Sequence, residues 1–347
     1  MSIRMIGLDT AKSVFQIHVV DAGGKAVLKR KLRRNDVLAF FEQQEKCVVA
    51  LEACGAAHHW SRLIAALGHE TRLIAPEAVR PFVKKGKKND AADAAAICEA
   101  ASRPDAKFVP TKDAEQQSVL SLHSVRALLI KQRTMLVNAM RGLATEFGMV
   151  VPKGIGKVKD LLELVSAHEE LPQSAKQAFR ELSDQCVSLD EGIERLEAEI
   201  VNHARTNDVA RRLATIPGVG PITASLLAAT ISDIAVFPSA RHFAAWLGLV
   251  PRQNSTGGKS RLGRITKAGH SEIRRMLVLG ATSMVFRAEK WNSALGAWTR
   301  SALLRRPVRL VTVALANKIA RIVWALMTRN DVYRPTGRVA AAAQAMA

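Results

Sequence analysis

Ile3-Arg4-Met5-Ile6-Gly7-Leu8-Asp9, then Val14 to Val20, then the turn Asp21-Ala22-Gly23-Gly24 and a third run from Ala26 to Leu32, decide how this chain begins to fold. Three strand-length runs broken by polar residues predict three strands, and the Gly23-Gly24 pair between alternating runs predicts a hairpin. From Asn35 onward the period becomes helical, through Val37, Leu38, Phe40 and Phe41. A buried-strand pattern, Cys47-Val48-Val49-Ala50-Leu51-Glu52, follows. After it come a helix around Trp60 to Leu67, a strand at Thr71 to Ala75 and a helix opened by Pro76.

Three meandering strands followed by alternating helix and strand describe a mixed sheet covered by helices, the ribonuclease H type of architecture. Four carboxylates occupy particular places in it. Asp9 ends the first run and Glu52 the strand of residues 47–52, while Asp90 and Asp93 lie three apart in Lys88-Asn89-Asp90-Ala91-Ala92-Asp93-Ala94, the start of an Ala-rich helix. Acids at the C-terminal ends of buried strands are accessible beside the sheet, and residues three apart share a helix face. Asp90 alone reads equally as a helix-start acid that meets the macrodipole. Asp9, placed after an apolar run and a glycine, is costly unless it coordinates or pairs. Together the four predict a site for two divalent cations, Mg²⁺ or Mn²⁺ by the hardness of the oxygen ligands. Two such ions stabilise both the attacking and the leaving oxygen in phosphodiester chemistry.

Residues 1–110 form the first predicted domain. From 111 to 205 no strand is predicted: Val119, Leu122, Val125, Leu128, Leu129 and Leu136, and again Leu182, Leu189, Ile193, Leu196 and Ile200, follow a three-to-four period. Two long helices separated by a break at Gly148 to Gly156 predict either an antiparallel hairpin or an oligomerising coiled coil. Residues 206–335 are predicted to be mainly helical, and 336–347 to be a flexible tail.

Charge separates these regions. Residues 211–347 hold 21 Lys and Arg against four acids, +17 of the net +20, whereas residues 1–210 hold 30 bases against 27 acids. So one-sided an excess is the footprint of a polyanion binder, DNA or RNA. Cys47, Cys54, Cys98 and Cys186 lack metal-ligand spacing and read as reduced thiols. With neither a signal-peptide pattern nor a run of 18 or so uncharged apolar residues, a soluble, intracellular protein is expected.

Two motifs of the basic half bear on chemistry. Ile216-Pro217-Gly218-Val219-Gly220-Pro221 has the form of a helix-hairpin-helix turn, in which Gly218 and Gly220 let backbone N–H groups approach a phosphate; a tight turn between packed helices gives the same string. Gly248 to Ser260 reads as a polar, Gly-rich loop between helices, carrying Ser255, Thr256 and Ser260 among Arg252, Lys259, Arg261, Arg264 and Lys267, with His270 at the next helix start. A hydroxyl there could attack a phosphate, given a base or metal to activate it. A P-loop is excluded, because the first glycine it requires is missing.

The strings Ile6-Gly7-Leu8-Asp9-Thr10-Ala11-Lys12, Leu51-Glu52-Ala53-Cys54-Gly55, Lys88 to Ala94, Ile216 to Gly220 and Gly248 to His270, in this order, resemble a known family. It comprises transposases of bacterial insertion sequences with an N-terminal RuvC-like domain bearing an Asp-Glu-Asp-Asp tetrad, and includes the Piv/MooV DNA invertases. The resemblance implies a DNA recombinase whose metal acids are Asp9, Glu52, Asp90 and Asp93. Its C-terminal transposase domain would supply a nucleophilic serine, Ser255, with Thr256 one position away. It further implies serine–DNA intermediates, a branched junction and, for some members, guidance by a structured RNA from the element itself. Since exchanging strands needs two active sites held together, a homo-oligomer (dimer or tetramer) joined through the long periodic helices is expected. Cys54 departs from the threonine familiar at that place. A Holliday-junction-type nuclease and a non-catalytic nucleic-acid-binding protein are the alternatives.

Overall fold

Residues 3–83 and 90–335 are described by the structure, a computed structural model. The chain divides into two compact units, residues 1–117 with 231–238 and residues 118–230 with 239–347.

In the first unit, β1 (Ile3–Asp9), β2 (Val14–Asp21) and β3 (Ala26–Arg33) form an antiparallel meander. Then follow α1 (Val37–Glu42), β4 (Val48–Glu52), α2 (Ala57–Ala66), β5 (Glu70–Ile74), α3 (Pro76–Val79), α4 (Asp90–Ala101) and the short β6 (Phe108–Val109). The sheet order is β3-β2-β1-β4-β5-β6, with β4 parallel to β1 and β5 parallel to β4. The mixed sheet expected from the sequence is present. Its pleat sorts the side chains into two cores, because successive residues of a strand point to opposite faces. Ile6, Leu8, Phe15, Ile17, Val49 and Leu51 pack with Phe40, Phe41, Trp60 and Ile64 beneath α1 and α2. Met5, Val20, Ala50 and Ile74 pack with Ala96, Ile97, Cys98 and Ala101 of α4 on the other face.

Gly7 sets how closely α4 lies on the sheet. A Cβ there would collide with the backbone oxygen of Ala94 and come within 2.8 Å of the Cys98 sulfur. Farther along, the Ser102 hydroxyl contacts the Met5 sulfur at 3.8 Å. Advancing from Ala94 in α4 to Ser102 just past its end thus means going back along β1 from 7 to 5, and the start of α4 points toward the Asp9 end.

The second unit is mostly helical. α5 (Ala114–Thr145, its first turn in the first unit), α6 (Val158–Ala167) and α7 (Gln173–Thr206) are followed by α8 (Asp208–Leu213), α9 (Pro221–Thr230) and α10 (Ala240–Trp246). Arg126 pairs with Glu197 and Arg133 with Asp190, so α5 and α7 run antiparallel within one chain. The hydroxyl of the buried Ser225 on α9 lies 2.9 Å from both His123 Nε2 of α5 and His203 Nδ1 of α7, which ties the three helices together.

The segment expected to be a loop between helices is instead a β-hairpin, β7 (Pro251–Thr256) with β8 (Lys259–Ile265). Gly257 and Gly258, at φ 57° and 76°, make its two-residue turn, the positive-φ geometry that matches strand twist. The remaining helices are α11 (Ser271–Phe286), α12 (Ala294–Leu303) and α13 (Val308–Arg329). By length and composition α13 is able to span a membrane. It nevertheless buries Val311, Leu315, Ala316, Ile319, Ala320 and Val323 and packs on α10 and α11 as a core helix. The expected tail, residues 336–347, lies outside the described residues.

Candidate active site

β1 and β4 run in step, Met5 beside Val48 through Leu8 beside Leu51, so Asp9 and Glu52 are the next residues on adjoining strand ends. Asp9 shares its sheet face with Met5 and Gly7, and Glu52 with Val48 and Ala50. Both acids therefore emerge on the α4 face, at the end toward which the start of α4 points. Asp93 stands in the first turn of that helix and is half-buried. The helix begins at Asp90 as expected, but the Asp90 side chain lies outside the described residues.

The three described acids differ in surroundings. Burial pushes the Glu52 carboxyl above the usual carboxylate range, and the charges of Asp93 and then Glu77 push it further. Glu77, passed over in the sequence reading, sits in the first turn of α3 directly beyond β5. The reasoning from strand ends that picked out Asp9 and Glu52 would have reached it. Among the described residues no three His, Cys, Asp or Glu side chains already stand in metal-binding geometry. A buried carboxylate crowded by neighbouring negative charges is chemically suited to a divalent cation, which would relieve the repulsion.

On the hairpin, Ser255 pairs with Ser260, Gln253 with Leu262, Asn254 with Arg261 and Thr256 with Lys259. The pleat puts Ser255 on one face with Gln253, Ser260 and Leu262, and Thr256 on the other with Arg252, Asn254, Lys259 and Arg261. Ser255 accepts a hydrogen bond of 2.9 Å from the Gln253 amide. Every residue from Pro251 to Arg264 is exposed. The bases thus flank Thr256 on its own face and reach Ser255 only around the strand.

Two expected phosphate contacts have structural duties. Gly218 packs against Gly280 of α11: a Cβ on Gly280 would meet the Gly218 backbone oxygen, and one on Gly218 would lie 2.8 Å from the Met284 sulfur. That is the tight turn between packed helices. Gly220, by contrast, is exposed just before α9, with open space where a Cβ would be. His270 caps α11, its Nδ1 accepting from the Ile273 N–H at 3.2 Å. Lys267 is exposed at φ 56° where the chain leaves the hairpin. Arg274 donates to the backbone oxygens of Leu247 and Ala268, and Asn317 to that of Leu249, which anchors the hairpin's base.

Comparison with known proteins finds relatives over nearly the whole chain. A family model for a DEDD transposase of the IS110 type matches residues 6–149, and the model of the IS116/IS110/IS902 transposase family matches residues 210–296. The chain is 49% identical over 338 residues to a protein of Pseudomonas aeruginosa named "Probable family 20 transposase", covering 96% of this chain and all of that one. It is 41% identical over 332 residues to the transposase for insertion sequence element IS1328 of Yersinia enterocolitica, with 96% and 99% covered. The transposase for insertion sequence element IS1111A of Coxiella burnetii is 38% identical over 334 residues, with 96% and 92% covered. The chain belongs to the IS110/IS116/IS902 family of bacterial insertion-sequence transposases, enzymes that cut and rejoin DNA.

Proposed function

We propose that this transposase cuts and rejoins strands through a covalent serine–DNA intermediate, at a site where Asp9, Glu52, Asp90 and Asp93 of a RuvC-like domain act with Ser255. The observation that carries the reading is the placing of Asp9 and Glu52 on adjoining parallel strand ends, on one face, with Asp93 close enough to raise the Glu52 pKa. Bound Mg²⁺ or Mn²⁺ would polarise the scissile phosphate and lower the cost of proton loss from the attacking hydroxyl. The four carboxylates would hold and orient that charge. Ser255 Oγ bonds to phosphorus as the bond from phosphorus to the leaving sugar oxygen breaks; the serine proton is lost and the leaving oxygen gains one. Rejoining reverses these steps with a new strand end. Arg252, Lys259, Arg261, Arg264 and Lys267, with the backbone of the exposed Gly220, hold the nucleic acid and offset transition-state charge. The net charge of the C-terminal segment, its 21 bases against four acids, supports a polyanion there.

Strand exchange needs two duplexes held together, and hence two protomers. Val125, Leu128 and Met135, exposed along α5, suit a helical contact between copies. Mass photometry on synaptic DNA is expected to show dimers or tetramers. Sequencing nucleic acid that co-purifies with the protein tests whether a structured RNA from the element guides it.

The deciding experiment is trapping of the adduct on element-end DNA followed by peptide mapping. An adduct at Ser255 that Ser255→Ala abolishes is the expected result. Mapping to Thr256, the residue on the basic face of the hairpin, would move the nucleophile. Undiminished cutting by Ser255→Ala would make water the nucleophile and the protein a junction nuclease.

A further inference from the structure

The stretch Lys25 to Arg34 carries six cations (Lys25, Lys29, Arg30, Lys31, Arg33 and Arg34) and no acid. It contains β3, an edge strand of the sheet. Alternation along the strand divides its side chains. Leu32 is buried in the core under α1 and α2, and the Arg30 guanidinium lies 5.9 Å over the Phe40 ring, so this face is used for packing. Lys29, Lys31 and Arg33 point to the opposite face. All three are exposed, and none forms an ion pair among the described residues.

That opposite face is the one from which the acids emerge. Gly7 stands beside His18 and His18 beside Lys29; Asp9 stands beside Gln16 and Gln16 beside Lys31. One row across the sheet therefore reads Glu52, Asp9, Gln16, Lys31. Strands are about 4.8 Å apart, which puts the Lys31 backbone roughly 10 Å from that of Asp9. Along β3 successive members of the basic set are about 6.7 Å apart, comparable with the phosphate repeat of an extended single strand.

We propose that Lys29, Lys31 and Arg33 form a rail that holds the DNA strand whose scissile phosphate lies at Asp9 and Glu52. The inference rests on the carboxylate reading above, and it addresses a difficulty of that reading. Four carboxylates repel a polyanion over about 10 Å at about 0.1 M salt. A bound cation offsets this only at the scissile phosphate. The neighbouring phosphates need positive charge on the same face, and β3 supplies it within that range. The first unit thereby takes a direct share in binding DNA, a role the charge distribution along the sequence assigned to the C-terminal segment.

The test uses the full chain and a labelled single-stranded DNA oligonucleotide. Affinity is measured from 50 to 300 mM salt for wild type, for K29Q/K31Q/R33Q and for the charge-keeping K29R/K31R/R33K. About 0.7 of the log–log salt slope is lost per strand phosphate contact, so the triple Gln variant is expected to lose about 2 from the slope and at least about tenfold in affinity at 100 mM salt. The charge-keeping variant is expected to retain both. An unchanged slope in a folded triple variant overturns the rail, as does an unchanged slope with new self-association, which would make these residues guards of a sheet edge. If the triple variant does not fold, K31Q alone is expected to lower the slope by about 0.7, and no change there overturns the proposal. Asp9→Asn separates the two readings. Loss of cutting with an unchanged slope supports the acids; persistent cutting refutes the carboxylate site, while the slopes still judge the rail.

Discussion

Glu52 states the chemistry of the first unit in one residue. Burial comes first and the charges of Asp93 and Glu77 next in raising its pKa, so the fold holds its ionised form at a cost. A carboxyl raised above its unfolded value destabilises the folded state once the pH exceeds that unfolded value, and the penalty disappears as the pH falls below it. Without divalent metal, Glu52→Gln is therefore expected to raise the melting temperature at pH 7 and to leave it unchanged near pH 3.5. With Mg²⁺ or Mn²⁺ the order should reverse. Wild type gains stability by mass action, about 2.7 kcal/mol at a hundredfold excess over Kd, and the variant gains much less. Thermal melts with and without metal check both halves; equal metal-induced shifts in wild type, Asp9→Asn and Glu52→Gln would disprove the site. In catalysis, Asp9→Asn should lower strand cutting by orders of magnitude and leave DNA affinity largely intact, because Lys and Arg contacts to phosphate supply most of that affinity.

At the scale of elements, one close approach and one turn carry the argument. α4 lies on β1 because Gly7 has no side chain, and Gly7→Ala forces the helix off the Ala94 and Cys98 contacts. Overpacking of this kind costs about 1–3 kcal/mol. Since α4 carries Asp93, the same variant is expected to weaken the metal-induced thermal shift even where the protein folds. A drop in melting temperature with an unaltered metal response would separate packing from function. The hairpin depends on Gly257 and Gly258 at positive φ. Asn tolerates that region and Val does not. Gly257→Asn is thus expected to preserve adduct formation, whereas Gly257→Val should reduce it severalfold or more at unchanged overall stability, read by peptide mapping and a melt.

For the molecule as a whole, pH couples most strongly to two histidines, one in each unit, while burial and then Lys29 lower His18 in the same direction. Burial, then Lys112 and Arg62, holds His58 down at about 4. Burial, then Arg126 and His203, holds His123 at about 4 against the opposing pull of Glu272. Both stay neutral in the fold while the unfolded chain takes up protons below about 6.5. Stability is therefore complete above that pH and is lost as the pH falls toward 4. Urea melts between pH 7.5 and 4.5 should show a falling midpoint, with a shallower fall in His123→Asn measured against its own pH 7.5 value. A midpoint flat over this interval would remove the histidines from the account.

The strands of residues 3–33, the strand ending in Glu52 and the helix opening at Asp90 were legible from the sequence alone. Apolar runs and their periods are local signals, and strand-end acids stand out against them. The net charge of the C-terminal segment was equally plain, since charge needs no fold to be counted. The hairpin at 251–265 was not legible. All but its last residue is exposed, so no apolar alternation marks its strands, and only the Gly257-Gly258 pair signals it. Gly218 was ambiguous for a different reason: whether its bare backbone meets a phosphate or another helix depended on Gly280, 62 positions away. Ser225 between His123 and His203, and Lys31 in the row of Asp9, likewise exist only once distant segments are brought side by side. Periodicity and charge belong to the chain and are set by neighbours in sequence. Register, face and close approach belong to the folded sheet and helix stack, where residues far apart in sequence come within a few ångströms of one another.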